Sequence, residues 1–564
     1  MLIAHMPVDE ENINSASPNP EVQRDGVCLI SRVPTEILET IFIHGACDYY
    51  SKHNGYFTST PPTWVNVSYV CPHWRDVALN CTILWTYLFI TSSRWTEELL
   101  VRSKQAPLKL YVNLHRDNED DRGIRFLKNV LNHIERIQEL RLGLSMDHDS
   151  YQFLSKLSSP APHLQILDIT VDWYPSDWWS SVPFNGDTPA LRFLHLSYCP
   201  VPWHSLKTSL LTSLFLCSVP IRFQQNTADF LATLRCMQDL TFLALEDSLA
   251  SSGDFLSSTA FNTFQKFNLP RLSHLRIDAP LSTIIALLSC IIIPLRTEVK
   301  LIFPESPRSF DDYTPIHSLL AQRYGMSQEQ ALSSPTIRSL IVVVVFSKWG
   351  WGDTELTFSA SERDCNPVHF PQSMSWSSNI PLQIILHFDP LTTVSDRDRI
   401  FSHICCPAPW SSVRSIRFLD PPFSSAFWTH VLGNLPDLHY LKLSGGDMPD
   451  LASILLVATC DCTESHPDRN PNQIFAPALE KLELCNIVFS TTLEGDIDPL
   501  KVAGVQSLCD ALATRPAPRG RLTMTRCTVR NPDGEKKEFD MEGRWEGGHF
   551  CVVDSKLESD TQTG

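Results

Sequence analysis

Apolar and polar positions follow two different rhythms along this chain. Between residues 27 and 90 the rhythm is helical. From Pro34 onward, Ile37, Leu38, Ile41 and Phe42 fall on one face of a helix, while Glu36, Glu39 and Thr40 fall on the other. Proline suits the start because its missing N–H is not needed in a first turn. Trp64, Val67, Cys71, Trp74, Ala78 and Cys81 then form a continuous stripe at helical spacing, which predicts a second helix. The run Ile83 to Leu88 predicts a short third piece. Between the first two lies a segment from about Gly45 to Pro62, rich in Tyr, Ser, Thr, Asn, Gly and Pro, which reads as a loop.

From about residue 105 to 530 the period changes. A unit of one apolar residue, two variable, one apolar, one variable and one apolar recurs. It stands at Ile137-Leu140-Leu142, Leu164-Leu167-Ile169, Leu191-Leu194-Leu196, Leu211-Leu214-Leu216 and Leu240-Leu243-Leu245. It continues at Leu272-Leu275-Ile277, Ile337-Leu340-Val342, Val413-Ile416-Phe418, Leu438-Leu441-Leu443 and Leu479-Leu482-Leu484. The central residues from Leu140 to Leu275 are separated by 27, 27, 20, 29 and 32 residues, and the stretch from about 300 to 410 fits poorly. In a strand the last two apolar side chains of each unit point into a core and the residue between them points outward. Pro162-His163, Thr188-Pro189-Ala190, Leu269-Pro270-Arg271, Leu435-Pro436-Asp437 and Pro477-Ala478 supply turns ahead of the strands. Short strands returning at this interval are the signature of a leucine-rich solenoid. The alternative is an ordinary α/β domain with leucine-rich strands.

Composition narrows the class. A chain of 564 residues exceeds one compact core, and 43% hydrophobic with 19% charged content is that of an ordinary globular protein. The 46 basic and 63 acidic residues leave a net charge of -17, which speaks against non-specific binding to nucleic acid or anionic membrane. The 17 cysteines are odd in number and scattered in apolar runs, as at Cys199, Cys217, Cys236 and Cys290. That usage fits free thiols in a reducing, intracellular compartment, cytoplasmic and/or nuclear. The start of the chain has no basic segment followed by a long apolar run, so no secretory signal is expected. Leu281 to Leu295, carrying Pro294, is short for a membrane span and reads as buried core. Residues 1–26 are polar and aperiodic and predict a disordered lead. Residues 531–564 predict an acidic, partly disordered tail, with a strand or two around His549 to Val553.

The helical region resembles the F-box family. The family pattern runs Leu-Pro-x-Glu and two hydrophobic residues, then Ile-Phe, then Val-Cys-x-x-Trp-Arg, then Leu-Trp. This chain has Val33-Pro34-Thr35-Glu36-Ile37-Leu38, Ile41-Phe42, Val70-Cys71-Pro72-His73-Trp74-Arg75 and Leu84-Trp85. It departs in Val33 and in the insertion at Gly45 to Pro62, where added loop length costs little. With the leucine-rich region behind it, the chain looks like the F-box proteins common in basidiomycete fungi. The resemblance implies an α/β chain, with a three-helix F-box module at 27–90 and an irregular leucine-rich-repeat-like solenoid at 91–530. It further implies a non-catalytic substrate receptor. Such a protein docks a Skp-family adaptor and, through it, a cullin–RING ubiquitin ligase, and presents a protein target for ubiquitination. By the same resemblance, Pro34, Ile37, Leu38, Ile41, Phe42, Val70, Cys71, Trp74, Leu84 and Trp85 contact the adaptor or brace that surface. Large aromatics such as Trp74 and Trp85 serve a small helical core equally well. The alternatives are an adaptor-bound scaffold outside the ligase and a leucine-rich interaction module with no ligase role.

No other chemistry assembles from the residues. Cys405-Cys406 and Cys460-Asp461-Cys462, with His403 and His466 nearby, lack the two spaced pairs of a structural zinc site, so no metal is expected. Gly350-Trp351-Gly352 and Gly445-Gly446 lack the Lys-Ser/Thr ending of a phosphate loop. No catalytic set and no cofactor is expected. The target should meet the outward strand positions: Arg141, Asp168, His195, Phe215, Ala244, Arg276, Lys442 and Glu483. Each is equally at home as a solvated strand residue.

Overall fold

The structure is a computed structural model. It describes residues 33–53, 63–88, 93–114, 120–144, 157–171, 183–199, 209–219, 227–249, 266–304, 339–346, 354–361, 382–388, 413–419, 425–433, 435–445, 476–491, 501–515, 519–530, 536–546 and 549–557, with a few isolated positions between them. The expected lead at 1–26 lies outside these residues. The protein is mixed α/β and divides into two compact units, Met1–Tyr111 and Val112–Gly564.

In the first unit, α1 (Thr35–His53) starts after Pro34, whose carbonyl accepts from the N–H groups of Ile37 and Leu38. It runs eight residues past Gly45, where the sequence reads as loop, so the glycine does not end it. Ala46, one turn beyond Phe42 and two beyond Leu38, extends the buried stripe and gives those extra turns a core to pack on. The expected second helix is broken. A 3-10 helix (Thr63–Tyr69) gives way at Val70–Cys71 to α2 (Pro72–Asn80). Pro72 is the cause: it lacks the N–H a continuing helix needs and confines Cys71 to extended backbone, φ -158° and ψ 166°. Cys71 then caps α2, its Sγ accepting from the Trp74 N–H. A second 3-10 turn (Thr82–Trp85) leads into β1 (Tyr87–Leu88), and α3 (Ser93–Arg102) follows. β1 pairs in parallel with β2 (Leu108–Asn113) at Tyr87–Lys109 and Leu88–Leu110.

The second unit is a row of parallel strands. β3 (Ile137–Leu144), β4 (Ile166–Val171), β5 (Phe193–Ser197), β6 (Ser213–Cys217), β7 (Phe242–Glu246), β9 (His274–Asp278) and β11 (Glu298–Phe303) lie side by side. The short β8 (Phe267–Asn268) and β10 (Ile291–Ile292) form a separate parallel pair. Leu140, Leu167, Leu194, Leu214, Leu243, Leu275 and Val299 occupy one register position and are all buried. Five of the strands, β4, β5, β9, β16 (Tyr440–Ser444) and β17 (Lys481–Cys485), are entered through the same turn. The N–H of Leu164, Leu191, Leu272, Leu438 and Leu479 donates to the carbonyl three residues back, with proline or a proline–residue pair between. Proline presets φ for such a turn, so these dipeptides do locally what the sequence suggests. Several strands are left through a repeated corner. Tyr198, Ser218 and Asp247 have φ of 56°, 48° and 42°, and their N–H groups donate to Cys217, Glu246 and Asp278 of the next strand. Gly445 and Asn486 repeat this at φ 84° and 53°, donating to Cys485 and Thr525. The residue after four of these corners points inward again, burying Cys199, Val219, Ser248 and Ile487.

Helices α4 (Asp120–Val130), α5 (Thr227–Arg235), α6 (Leu281–Cys290), α7 (Ser425–Gly433) and α8 (Ala503–Ala513) fall between strands. They bury residues at helical spacing, such as Phe230, Leu231 and Leu234 in α5 and Phe427, Trp428, Val431 and Leu432 in α7. Leu281–Leu295 is α6 followed by β10, with Ile284, Leu287 and Ile291 buried as expected and Ile292 exposed, and no helix among the described residues is long and apolar enough to cross a membrane.

Between 303 and 413 the row changes direction. β12 (Ser339–Phe346) and β13 (Thr354–Ser361) are antiparallel, and β13 is antiparallel to β14 (Leu382–Phe388). β14 lies parallel against β11, while β12 lies parallel against β15 (Ser415–Leu419). This hairpin explains why the repeat fits poorly there. The row resumes through β16 (Tyr440–Ser444) and β17 (Lys481–Cys485) to β19 (Gly520–Arg530), whose far end also pairs with β18 (Val488–Ser490). Past Asn531, where a partly disordered tail is expected, β20 (Lys536–Glu546) and β21 (His549–Leu557) add two long antiparallel strands. Phe539, Met541 and Trp545 alternate inward, and the charged residues between them mask the pattern in the sequence.

The corners set a testable cost. Gly445→Val places a β-branched residue at φ 84° and is expected to destabilise the second unit by about 1–3 kcal/mol, read as a lower thermal midpoint. Ser218→Gly, at φ 48°, is expected to leave that midpoint unchanged or raise it.

Candidate functional site

The residues that resemble a docking motif separate into two groups in the first unit. Leu38 and Phe42 are 1% exposed, and Leu84 and Trp85 are fully buried. Trp85 is fixed from three sides: its Nε1–H donates to the Ala78 carbonyl at 2.8 Å, Trp64 meets it edge-on at 5.5 Å, and the Arg102 guanidinium lies 4.3 Å over its ring. These four are core. Pro34, Ile37, Ile41 and Val70 are exposed, with Ile37 at 52%, Ile41 at 53% and Val70 at 56%. Tyr69 and Ile83, each at 53%, join them, a contribution the motif does not mark. Cys71 and Trp74 are half-buried between the two groups, with Trp74 against Phe42 at 5.1 Å.

One-residue spacing on α1 makes this division. Leu38, Phe42 and Ala46 form the inner stripe, and Ile37, Ile41 and Gly45 follow the same four-residue step one position earlier. A Cβ built at Gly45 meets no atom within 4 Å. Ile41, Phe42, Gly45, Trp64, Val67 and Trp74 line an open cavity of about 250 Å³. The indole N–H groups of Trp64 and Trp74 are buried without an acceptor. The surface beside them is apolar and concave.

In the second unit, the positions expected to face outward stand in one register row. Arg141, Asp168, His195, Phe215, Ala244 and Arg276 run across β3 to β9, and Lys442 pairs with Glu483 across β16 and β17. Asp168 bridges Arg141 at 3.5 Å and His195 at 2.8 Å, and Arg276 pairs with Glu246 at 2.8 Å. Ala244 and Arg276 are largely covered by their neighbours. The residue preceding the second apolar position shares this face, and the expected set omits it. Phe193, Phe242 and His274 occupy that row. Phe193 stands 5.2 Å from Phe215, Phe215 stacks on Phe242 at 4.5 Å, and Phe242 stacks on His274 at 5.3 Å. Tyr440 and Lys481 occupy the same row farther along. The period of two is enough to find them from the sequence.

Asp168, His195 and Cys217 have the order of a nucleophilic triad, with His195 Nδ1 at 2.8 Å from Asp168 and Nε2 at 3.9 Å from the Cys217 Sγ. The electrostatics oppose that role. Burial, then the charges of Glu246, Asp278 and Asp168, push the Cys217 thiol up to about 12 against the partial relief of Arg276. A cysteine nucleophile needs the reverse, a thiol held near or below neutrality by positive surroundings. Among the described residues no group of His, Cys, Asp and Glu is placed to hold a metal ion. Cys405, Cys406, Cys460, Cys462, His403 and His466 lie outside those residues.

Glu483 is the most strongly perturbed carboxylate on this face. Burial opposes its ionisation, but hydrogen bonds from Lys481, Tyr440 and Lys442 outweigh it and hold the carboxyl at about 2. Tyr440 Oη donates at 2.7 Å and is in turn pushed up by burial and by Glu483.

The raised Cys217 thiol yields a direct check. Its alkylation by iodoacetamide, followed by peptide mass spectrometry, is expected to stay slow through pH 9 and to rise only as pH approaches about 12. A rate midpoint near neutrality would contradict the assignment. Compared with known proteins, the chain matches no family model and no curated protein.

Proposed function

We propose that the chain is an F-box substrate receptor, whose helical unit docks a Skp-family adaptor and whose strand row takes a protein target to a cullin–RING ubiquitin ligase. The observation that carries this reading is the division of α1 into a buried stripe and an exposed one. A self-contained helical core needs Leu38 and Phe42 but has no use for Ile37 and Ile41, which leave more than half their surface in water. Val70, Tyr69 and Ile83 add to the same demand for a partner.

The leucine-rich-repeat-like solenoid reading of the second unit draws support from periodicity. One register runs through successive strands, one turn and one left-handed corner return at several of them, and a buried residue follows the corners at Tyr198, Ser218, Asp247 and Asn486. A row of this kind offers a broad face on which aromatic and charged side chains are already ordered by their neighbours. The raised thiol at Cys217 favours binding over catalysis there.

Co-expression with a Skp-family adaptor tests the reading. Wild type is expected to recover the adaptor. Ile41→Asp and Val70→Asp, at exposed positions, are expected to lose it while changing stability by less than about 0.5 kcal/mol. Phe42→Ala is expected to cost about 3–5 kcal/mol and to lose adaptor by unfolding the unit. Recovery that is absent in wild type, or unchanged in Ile41→Asp, would overturn the proposal.

A further inference from the structure

We propose that the outward face of β15, β16 and β17 is a docking site for an acidic segment, rich in Asp and Glu, of a protein partner. The inference rests on reading the strand row as a target-binding face and assigns that target a chemistry. Arg417, Lys442 and Glu483 share one register row, and Tyr440 and Lys481 share the next. Glu483 is held by Lys481, by Lys442 at 3.2 Å and by the Tyr440 hydroxyl at 2.7 Å. Arg417 lies over the Tyr440 ring at 5.2 Å and Lys481 over the same ring at 5.0 Å. The Nη1 of Arg417 is buried and has no hydrogen-bond acceptor.

Two lysines thus hold one carboxylate and Arg417 stands across the Tyr440 ring from it, so the face carries three cations and one anion in a chain whose net charge is -17. The patch has a limit. Arg521, next in the row, is paired with Glu542 on β20, where Asp540 and Glu546 are also exposed. Adjacent strands lie about 4.8 Å apart, so the three strands span roughly 10 Å, the reach of about three extended residues. Two neighbouring carboxylates fit inside this span, which ends at acidic β20. The site already holds one carboxylate by two ammonium groups and a phenol, and Arg417, partly exposed beside them, adds a third positive charge.

Fluorescence anisotropy with labelled hexaglutamate and the full chain tests the assignment. Wild type is expected to bind it, more weakly as salt rises, and to ignore labelled hexalysine. Arg417→Gln combined with Lys442→Gln is expected to weaken binding by roughly tenfold or more, and Arg417→Lys with Lys442 intact to restore most of it. Lys501→Gln, at a remote exposed lysine paired with Asp498, controls for loss of charge alone and is expected to bind as wild type. No binding by wild type, equal loss in Lys501→Gln, no loss in the double variant, or tighter binding of single-stranded DNA of equal charge would overturn it. Circular dichroism establishes that the double variant is folded. Adaptor capture is scored separately: hexaglutamate binding without adaptor capture removes the receptor role and leaves this site, and the reverse removes this site alone.

Discussion

Parallel strand pairing without a slip in register is the constraint on which the second unit depends. Each strand spends its backbone N–H and C=O groups on its two neighbours, so a shift of one residue would turn every inward leucine to solvent. Burying each of those leucines is worth about 1.5–3 kcal/mol, and the penalty for a slip is therefore large and shared along the whole row. Once the inward positions are fixed, the outward ones are fixed with them. Phe215 stacks on Phe242, and Glu483 sits between two lysines, because Leu214 and Leu482 have no alternative place. The corner residues enforce the same register from the ends of the strands that carry them. Tyr198, Ser218 and Asp247 accept left-handed backbone so that their N–H groups reach the neighbouring carbonyls. Strain of this kind persists where the surroundings over-determine it.

Much of this row is visible in the sequence because turn chemistry and strand period reinforce one another. Where a proline turn precedes an apolar triplet, as at Pro189 to Leu196 or Pro436 to Leu443, strand and register both follow. Strands escape notice where the first apolar residue of the triplet is missing. β11 and β19 have arginine at that place, Arg296 and Arg519, although Val299, Leu301, Leu522 and Met524 behind them are buried in the ordinary way. β20 hides for a related reason, since Phe539, Met541 and Trp545 alternate with charged residues in a segment whose composition reads as solvated. The hairpin of β12 and β13 carries no local signal of its antiparallel pairing, which depends on residues distant in sequence.

The helical unit shows the opposite balance. Motif spacing finds the participating residues but not their roles. Ile37 and Leu38 are neighbours of equal hydrophobicity, and only their angular positions on α1 send one to solvent and the other to the core. Trp85 is core rather than surface because its ring is enclosed by Trp64 and Arg102 and its N–H is used by Ala78. Pro72 breaks an apolar stripe that periodicity alone would carry through as one helix, and the break is what leaves Val70 in water. The surface proposed for docking is thus a by-product of a core that uses every second candidate.

Hydrogen–deuterium exchange of the intact chain, with and without a Skp-family adaptor, tests the central claim most directly. The expected result is slower exchange confined to the first half of α1 and to the turn from Tyr69 to Trp74, with β4 to β7 unchanged. Slowing on β4 to β7 without slowing on α1, or no change anywhere with adaptor in excess, would contradict the account.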